Sequence, residues 1–334
     1  MAEKINIIIP AIKLDDELLK CLKEINKIKY PNFFSTIVLD YDGKTKLPKL
    51  KYKVNKLIVG KINMSKKRNI AAKKFQSKYI AFIDSDAYPN KNWLKLALKY
   101  LKQKNNDVVG GPGLPFPNES FSGKICYFSK RSYFVSGHLN FRKYKAKKRY
   151  CDWLESCNLI MKREFFLKHK GMDSQRYTGE DKEFFERVRR KNPNLKVFYS
   201  PDLYIYHKDR RYVGFLLQRL CYGMDLMNLI KFNIGIKGFQ PILPILTLLL
   251  FFIIFITNIN LNIKVNIFLI SVLLFNLAIF FETNKYIKSL KSLILTIITI
   301  NFANIAFALG SILGLVGLKF FLASKLYPFS RWNA

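Results

Sequence analysis

Three uncharged apolar runs close the chain, at residues 239–263, 265–281 and 292–318. Each approaches or exceeds the ~20 residues that an α-helix needs to cross the hydrocarbon core of a bilayer. Everything before them reads as a water-soluble domain. The expected organisation is therefore a domain over residues 1–236, with an interfacial helix near 211–232, followed by a membrane region over 237–334. That region is expected to hold about three helices, near 240–260, 265–282 and 292–318. Lys285, Lys288 and Lys291 lie between the second and third runs, against Lys264 alone between the first and second. The positive-inside tendency then puts the soluble domain and the Lys-rich loop in the cytoplasm. Three spans leave Lys319, Lys325 and Arg331 outside, in mild conflict with that tendency. The chain start passes into the short run at residues 5–9, which ends at Pro10 and is too short for a signal peptide core.

Charge narrows the partners. The 57 Lys and Arg against 23 Asp and Glu give a formal net charge of +34. These cations are scattered singly or in pairs, as expected of biased composition with an attraction to anionic lipid headgroups. No recognition motif accompanies them, so nucleic acid is not an expected partner. Residues 143–149 form the densest local patch. The five cysteines have no CxxC spacing and the three histidines do not cluster with them, so reduced thiols are expected rather than a zinc site.

The soluble part alternates. Residues 5–9 read as a buried strand, and residues 15–27 as a helix with Leu18, Leu19, Leu22 and Ile25 at helical spacing and Asp15 or Asp16 as cap. A second strand covers 35–39 and ends at Asp40-Tyr41-Asp42-Gly43. A third is expected at 56–59, a helix at 66–75 with Ile70 and Ala71 inward, and a fourth strand at 79–83. This rhythm implies an α/β fold, a mostly parallel sheet with flanking helices. Ligands of such sheets gather at the carboxyl ends of the strands, where Pro10, Asp40, Asp42, Asp84 and Asp86 fall.

Asp84-Ser85-Asp86 puts two carboxylates on a turn leaving a buried strand, within reach of one hard divalent cation such as Mg²⁺ or Mn²⁺. The alternative is a polar turn in which Asp86 caps the helix beginning near Trp93. Glu180 and Asp181 follow Gly179 and open a helix with Phe184, Phe185 and Val188 on one side. Acidic groups there serve either the helix dipole or proton abstraction from a hydroxyl. His207, among aromatic residues, is either a core residue or a third metal ligand. Trp153, just before a strand at 159–161, is either packing or part of a site. Arg211, Gln218 and Asp225 recur every seven residues in an apolar stretch, as in a helix at a membrane interface or one closing the soluble domain.

Taken together, several stretches resemble a family 2 inverting glycosyltransferase of GT-A fold over about residues 4–236. They are Ile5-Asn6-Ile7-Ile8-Ile9-Pro10, the aspartates near Asp40, Lys67-Arg68-Asn69, residues 79–86, Gly179-Glu180-Asp181 and Gln218-Arg219-Leu220-Cys221-Tyr222-Gly223. Singly these motifs are weak; their order and spacing are specific. The apolar tail resembles members that build lipid-linked saccharides or exopolysaccharide. The resemblance implies an integral membrane enzyme with a cytoplasmic catalytic domain, a nucleotide-diphosphate sugar as donor, a lipid-linked saccharide as acceptor and a divalent cation, Mg²⁺ or Mn²⁺. Pro10 and Asp40 or Asp42 would border the nucleotide base, while Arg68, Asn69 and Asp84 would hold the nucleotide. Trp153, Gln218 and Arg219 would line the nucleotide-sugar site. Asp84, Asp86 and His207 would bind the metal, and Asp181 would be the general base with Glu180 in support. Two departures stand out. The first acidic motif is Asp-Tyr-Asp-Gly rather than adjacent aspartates, and the late motif lacks the tryptophan of processive synthases. A polyprenyl phosphate is the alternative acceptor. More distant alternatives are a membrane-tethered nucleic-acid-binding protein and a transport or assembly subunit, the latter disfavoured by apolar runs free of charge.

Overall fold

The computed structural model describes residues 2–43, 45–103, 105–176, 178–231, 243–257 and 260–316. In chain order its strands are β1 (Ile5–Pro10), β2 (Phe33–Leu39), β3 (Val54–Ile58), β4 (Tyr79–Ile83), β5 (Ala87–Pro89), β6 (Val108–Gly110), β7 (Gly113–Leu114), β8 (Arg149–Tyr150), β9 (Asn158–Lys162), β10 (Val197–Tyr199) and β11 (Ile205–His207). Its helices are α1 (Asp16–Ile25), α2 (Met64–Lys74), α3 (Trp93–Gln103), α4 (Phe121–Arg131), α5 (Tyr133–Ser136), α6 (Arg163–Lys168), α7 (Glu180–Lys191), α8 (Tyr212–Lys231), α9 (Leu243–Ile256), α10 (Leu261–Thr283) and α11 (Leu290–Leu315). They form two compact units, Met1–Phe116 with Phe141–Lys208, and Pro117–Asn140 with Asp209–Ala334.

The first unit is built on an eight-stranded sheet in the order β3-β2-β1-β4-β9-β6-β10-β8. The all-apolar character of β1 and β4 has a direct cause: both are buried along their whole length, as a strand covered on two faces must be. β1 pairs in parallel with β2 and β4, and β2 with β3. β9 then enters antiparallel between β4 and β6, while β10 lies parallel to β6. Ile7, Ile9, Leu18, Leu22, Ile37, Trp93, Leu94 and Ile160 belong to the core that α1 and α3 make with this sheet. Asp15 caps α1 by accepting the Leu18 N–H at 3.0 Å, the role expected of it. On α2, Ala71 and Ala72 turn inward, but Ile70 is only half-buried, because Lys67 and Arg68 occupy the inward face instead. A second sheet, β5-β11-β7, places His207 opposite Ala87, just beyond the turn that leaves β4.

In the second unit α8 runs against α11 with backbone touching backbone. A Cβ added at Gly223 would lie 2.0 Å from the Phe307 carbonyl oxygen, and one at Gly310 would lie 2.0 Å from that of Leu220. Asp225, expected on a polar face of α8 with Arg211 and Gln218, is buried, while Arg211 is exposed and Gln218 half-buried. Among the described residues two helices are long and apolar enough to cross a membrane: α10, 23 residues with an apolar window of mean hydropathy 2.2, and α11, 26 residues with one of 2.0. Of the first expected span, near 240–260, residues 243–257 and 260 are described and hold α9, with 14 residues; Lys319, Lys325 and Arg331 lie outside the described residues.

Candidate active site

The turn after β4 gathers the acidic groups. Asp84 accepts from Arg68 Nη2 at 2.6 Å through Oδ1. Its other oxygen, Oδ2, lies 3.8 Å from His207 Nε2, which is 3.6 Å from Asp86 Oδ1. One ligand atom from each of Asp84, Asp86 and His207 falls within 4.8 Å of the others. His207 Nδ1 is 2.7 Å from the Lys208 carbonyl oxygen. A carbonyl can only accept, so Nδ1 carries a hydrogen, and Nε2 is the ring atom that faces the two carboxylates. Two carboxylate oxygens and an imidazole nitrogen, with the far ring N–H anchored on backbone, make a donor set that fits a divalent cation.

The second acidic group opens α7. Gly179, at φ 69°, turns the chain through the left-handed region just before the helix, a conformation that costs glycine little. That turn delivers Glu180 and Asp181 to the helix start. Asp181 Oδ2 accepts the Ser156 N–H at 3.0 Å, and Oδ1 has no hydrogen-bond partner among the described residues. Burial, and next the neighbouring Glu180 charge, raise the Asp181 carboxyl well above the usual carboxylate range; Arg68 and the Ser156 N–H offset part of this. Arg68 connects the two groups. Its side chain is 1% exposed, and while Nη2 holds Asp84, Nη1 lies 3.6 Å from Glu180 Oε1.

A further cluster sits at the carboxyl ends of β1 and β2. Lys67, wholly buried, donates to the Ala11 carbonyl and lies 2.7 Å from Asp40 Oδ1. Asp40 is thereby held beside the residue that follows Pro10. Asp42, half-exposed, pairs with Lys56 at 2.7 Å instead. Asn69 uses both ends of its amide on Met172, donating to its carbonyl at 2.7 Å and accepting its N–H at 2.9 Å. Trp153 carries the Arg142 guanidinium 3.9 Å above its ring. Gln218 and Arg219 belong to the second unit, where Gln218 donates to Tyr222 and Arg219 lies 4.7 Å from the Phe307 ring centre. The sequence reading gave Lys67, Ser156 and Arg142 no role of their own. The available signal was in α2, where consecutive Lys66, Lys67 and Arg68 leave too few apolar residues for a helix that must pack on a sheet.

A parallel-rich α/β sheet with an acidic turn at the end of its fourth strand and a second acidic pair at a helix start is the organisation expected of a GT-A fold. Its family follows: residues 6–169 match the family model "Glycosyl transferase family 2", and the chain contains a domain of that family. Two curated relatives are the poly(ribitol-phosphate) beta-N-acetylglucosaminyltransferases TarS of Staphylococcus aureus strains Mu50 / ATCC 700699 and MW2. Each is 29% identical over 129 residues, which are 34% of this chain and 22% of the relative. The chain thus spans about a fifth of the length of the curated relatives it matches (22%). Among solved structures, S. aureus TarS 1-349 is 17% identical with a TM-score of 0.47, covering 78% of this chain and 68% of that one. GalNAc-T7, solved with UDP, GalNAc and Mn²⁺, is 12% identical with a TM-score of 0.46, covering 62% of this chain and 43% of that one.

Proposed function

We propose that this glycosyltransferase is an integral membrane enzyme that moves a sugar from a nucleotide-diphosphate donor to a lipid-linked saccharide, inverting the anomeric carbon. The observation that carries the reading is Arg68, whose single guanidinium reaches both Asp84 and Glu180. In this reading the diphosphate sits at the acidic turn and the acceptor hydroxyl at the start of α7, two places that Arg68 joins.

Asp181 is the general base. Its Oδ2 is pinned by the Ser156 N–H, which leaves Oδ1 to take the acceptor proton. A raised carboxyl suits that task, because it is a stronger base once the pH has ionised it. The acceptor oxygen bonds to the anomeric carbon as the bond to the diphosphate oxygen breaks, and the electron pair leaves with the diphosphate. One displacement needs no enzyme nucleophile. Glu180 and Arg68 fix the helix start, and holding both substrates in line supplies much of the remaining acceleration. Asp84, Asp86 and His207 would hold a divalent cation, Mg²⁺ or Mn²⁺, which would neutralise charge on the departing diphosphate. Pro10 and Asp40 border the nucleotide base, Asp40 being favoured over Asp42 by its tie to Lys67. Arg68 and Asn69 shape the nucleotide pocket from α2, Asn69 through the Met172 loop. Trp153 flanks the sugar or acceptor.

With the third span expected near 240–260, the catalytic domain shares a side with the α10–α11 connection, which carries Lys285 and Lys288 just before Lys291 opens α11; this supports a membrane-held acceptor and a cytoplasmic catalytic domain. The test is nucleotide release from a panel of nucleotide sugars in native membranes, with Mn²⁺ or with chelator, for the parent and for Asp181→Asn. Release that requires a lipid extract and disappears in Asp181→Asn is expected. Equal transfer to a soluble sugar alone would remove the lipid-linked acceptor.

A further inference from the structure

Residues Pro117–Asn140 interrupt the first unit in sequence yet fold with the second. α4 buries Ile125, Cys126 and Ser129, and Cys126 and Val135 share a core with Phe215, Ile279, Ile300 and Ala303. At ~1.5 Å per residue, Phe275 lies roughly 10 Å inside α10 from Glu282, the first charge after its apolar run. Phe134 packs on Phe275 edge to face, with ring centres 5.3 Å apart. The hairpin of α4 and α5 therefore reaches well below the charged end of α10. Glu282 fixes it there, accepting from the Ser132 hydroxyl and from the Tyr133 N–H at 2.7 Å. Tyr286 adds a second tie, with the Arg131 guanidinium 4.1 Å from its ring centre.

The start of α4 has a different character. Phe121 and Lys124 share one exposed face, while Phe128 and Arg131 further along pack on Tyr286. Phe121 and Tyr133 are 47% and 50% exposed, and Lys291 sits 5.4 Å from the Phe121 ring centre. Lys124, Lys285, Lys288 and Lys291 are all exposed. Large aromatics beside cations, at the depth where apolar helices end, are the composition of an element lying in the headgroup layer.

We propose that residues 117–140 form an interfacial element that seats the second unit in a membrane surface carrying anionic headgroups, with Phe121 and Tyr133 entering the lipid. The proposal rests on the reading that α10 and α11 span a bilayer. Benzoylphenylalanine introduced singly at Phe121, Tyr133 and Leu273 of the full chain, in vesicles of phosphatidylcholine and phosphatidylglycerol, tests it by photocrosslinking. Lipid adducts are expected at all three positions. Reversing Lys124 and Lys288 to Glu should lower the phosphatidylglycerol preference at Phe121 by about fivefold per lysine removed. Lipid adducts at Leu273 with only protein adducts at Phe121 and Tyr133 would overturn the interfacial element and leave the spanning helices standing. No lipid adduct at Leu273 would overturn the spanning reading and this one with it. An unchanged phosphatidylglycerol preference in the lysine variant would remove the anionic surface.

Discussion

Replacing Asp181 by Asn should make the enzyme inactive and more stable at once. Asn keeps an oxygen that can accept the Ser156 N–H, so the local shape survives. What is lost is a carboxylate that burial and Glu180 both disfavour, with one buried guanidinium, Arg68, nearby to balance it. Loss of a general base should lower transfer by roughly 10²-fold or more. Folding raises this pKa, so the folded protein holds the proton more tightly than the unfolded chain does. The stability attached to Asp181 is therefore full below the ordinary carboxylate range and is lost as the pH rises toward the raised folded value. Each pKa unit of that rise is worth about 1.4 kcal/mol, so Asp181→Asn should be measurably more stable than the parent once the pH passes the ordinary carboxylate range. Thermal unfolding of purified parent and variant, followed from acid to mildly alkaline pH, measures it. The curves should coincide below about pH 4 and separate above it, the variant melting higher. Parent activity should fall as the pH drops below the raised value. A variant that melts lower than the parent at alkaline pH, or that keeps near-full transfer, would refute the reasoning.

Asp86→Ala should abolish Mn²⁺-stimulated nucleotide release while the protein stays folded and membrane-bound; full activity of the parent in excess chelator would remove the metal from the mechanism. Lys67→Met leaves Asp40 without its buried cation and should cost roughly 3–5 kcal/mol in denaturant unfolding. Adding Asp40→Asn should recover part of that loss, and no recovery would mean that Lys67 acts mainly through the Ala11 carbonyl. Tags at the N-terminus and within residues 285–291 should both be shielded from outside reagents in intact cells, and labelling of either would reverse the proposed orientation.

The parts of the fold that were legible in the sequence are those with local causes. β1, β2 and β4 are continuous apolar runs ending at Pro or Asp, and α1 announces itself through Asp15 and its leucines. The antiparallel insertion of β9 was not legible, because an apolar run carries no direction. Lys67 and Arg68 show the same limit at the candidate site. Charged residues on a helix read as solvated unless the carboxylates that neutralise them are already placed, and Asp40, Asp84 and Glu180 come from three separate stretches of chain. Asp84, Asp86 and His207 were legible as candidates, but their convergence depends on β11 pairing with β5. The joining of residues 117–140 to the second unit rests wholly on long-range packing.

That joining governs where the polypeptide can be cut. The chain passes between the two units three times, after residues 116, 140 and 208, so the soluble-looking stretch is not a separable module. A fragment ending at residue 236 would keep Cys126, Phe134 and Val135 but discard Phe275, Ile279, Ile300 and Ala303, the surfaces that cover them. Glu282, which caps the turn at Ser132, would go as well. Such a fragment should emerge sticky and partly unfolded, even though every residue of its acidic pocket is present.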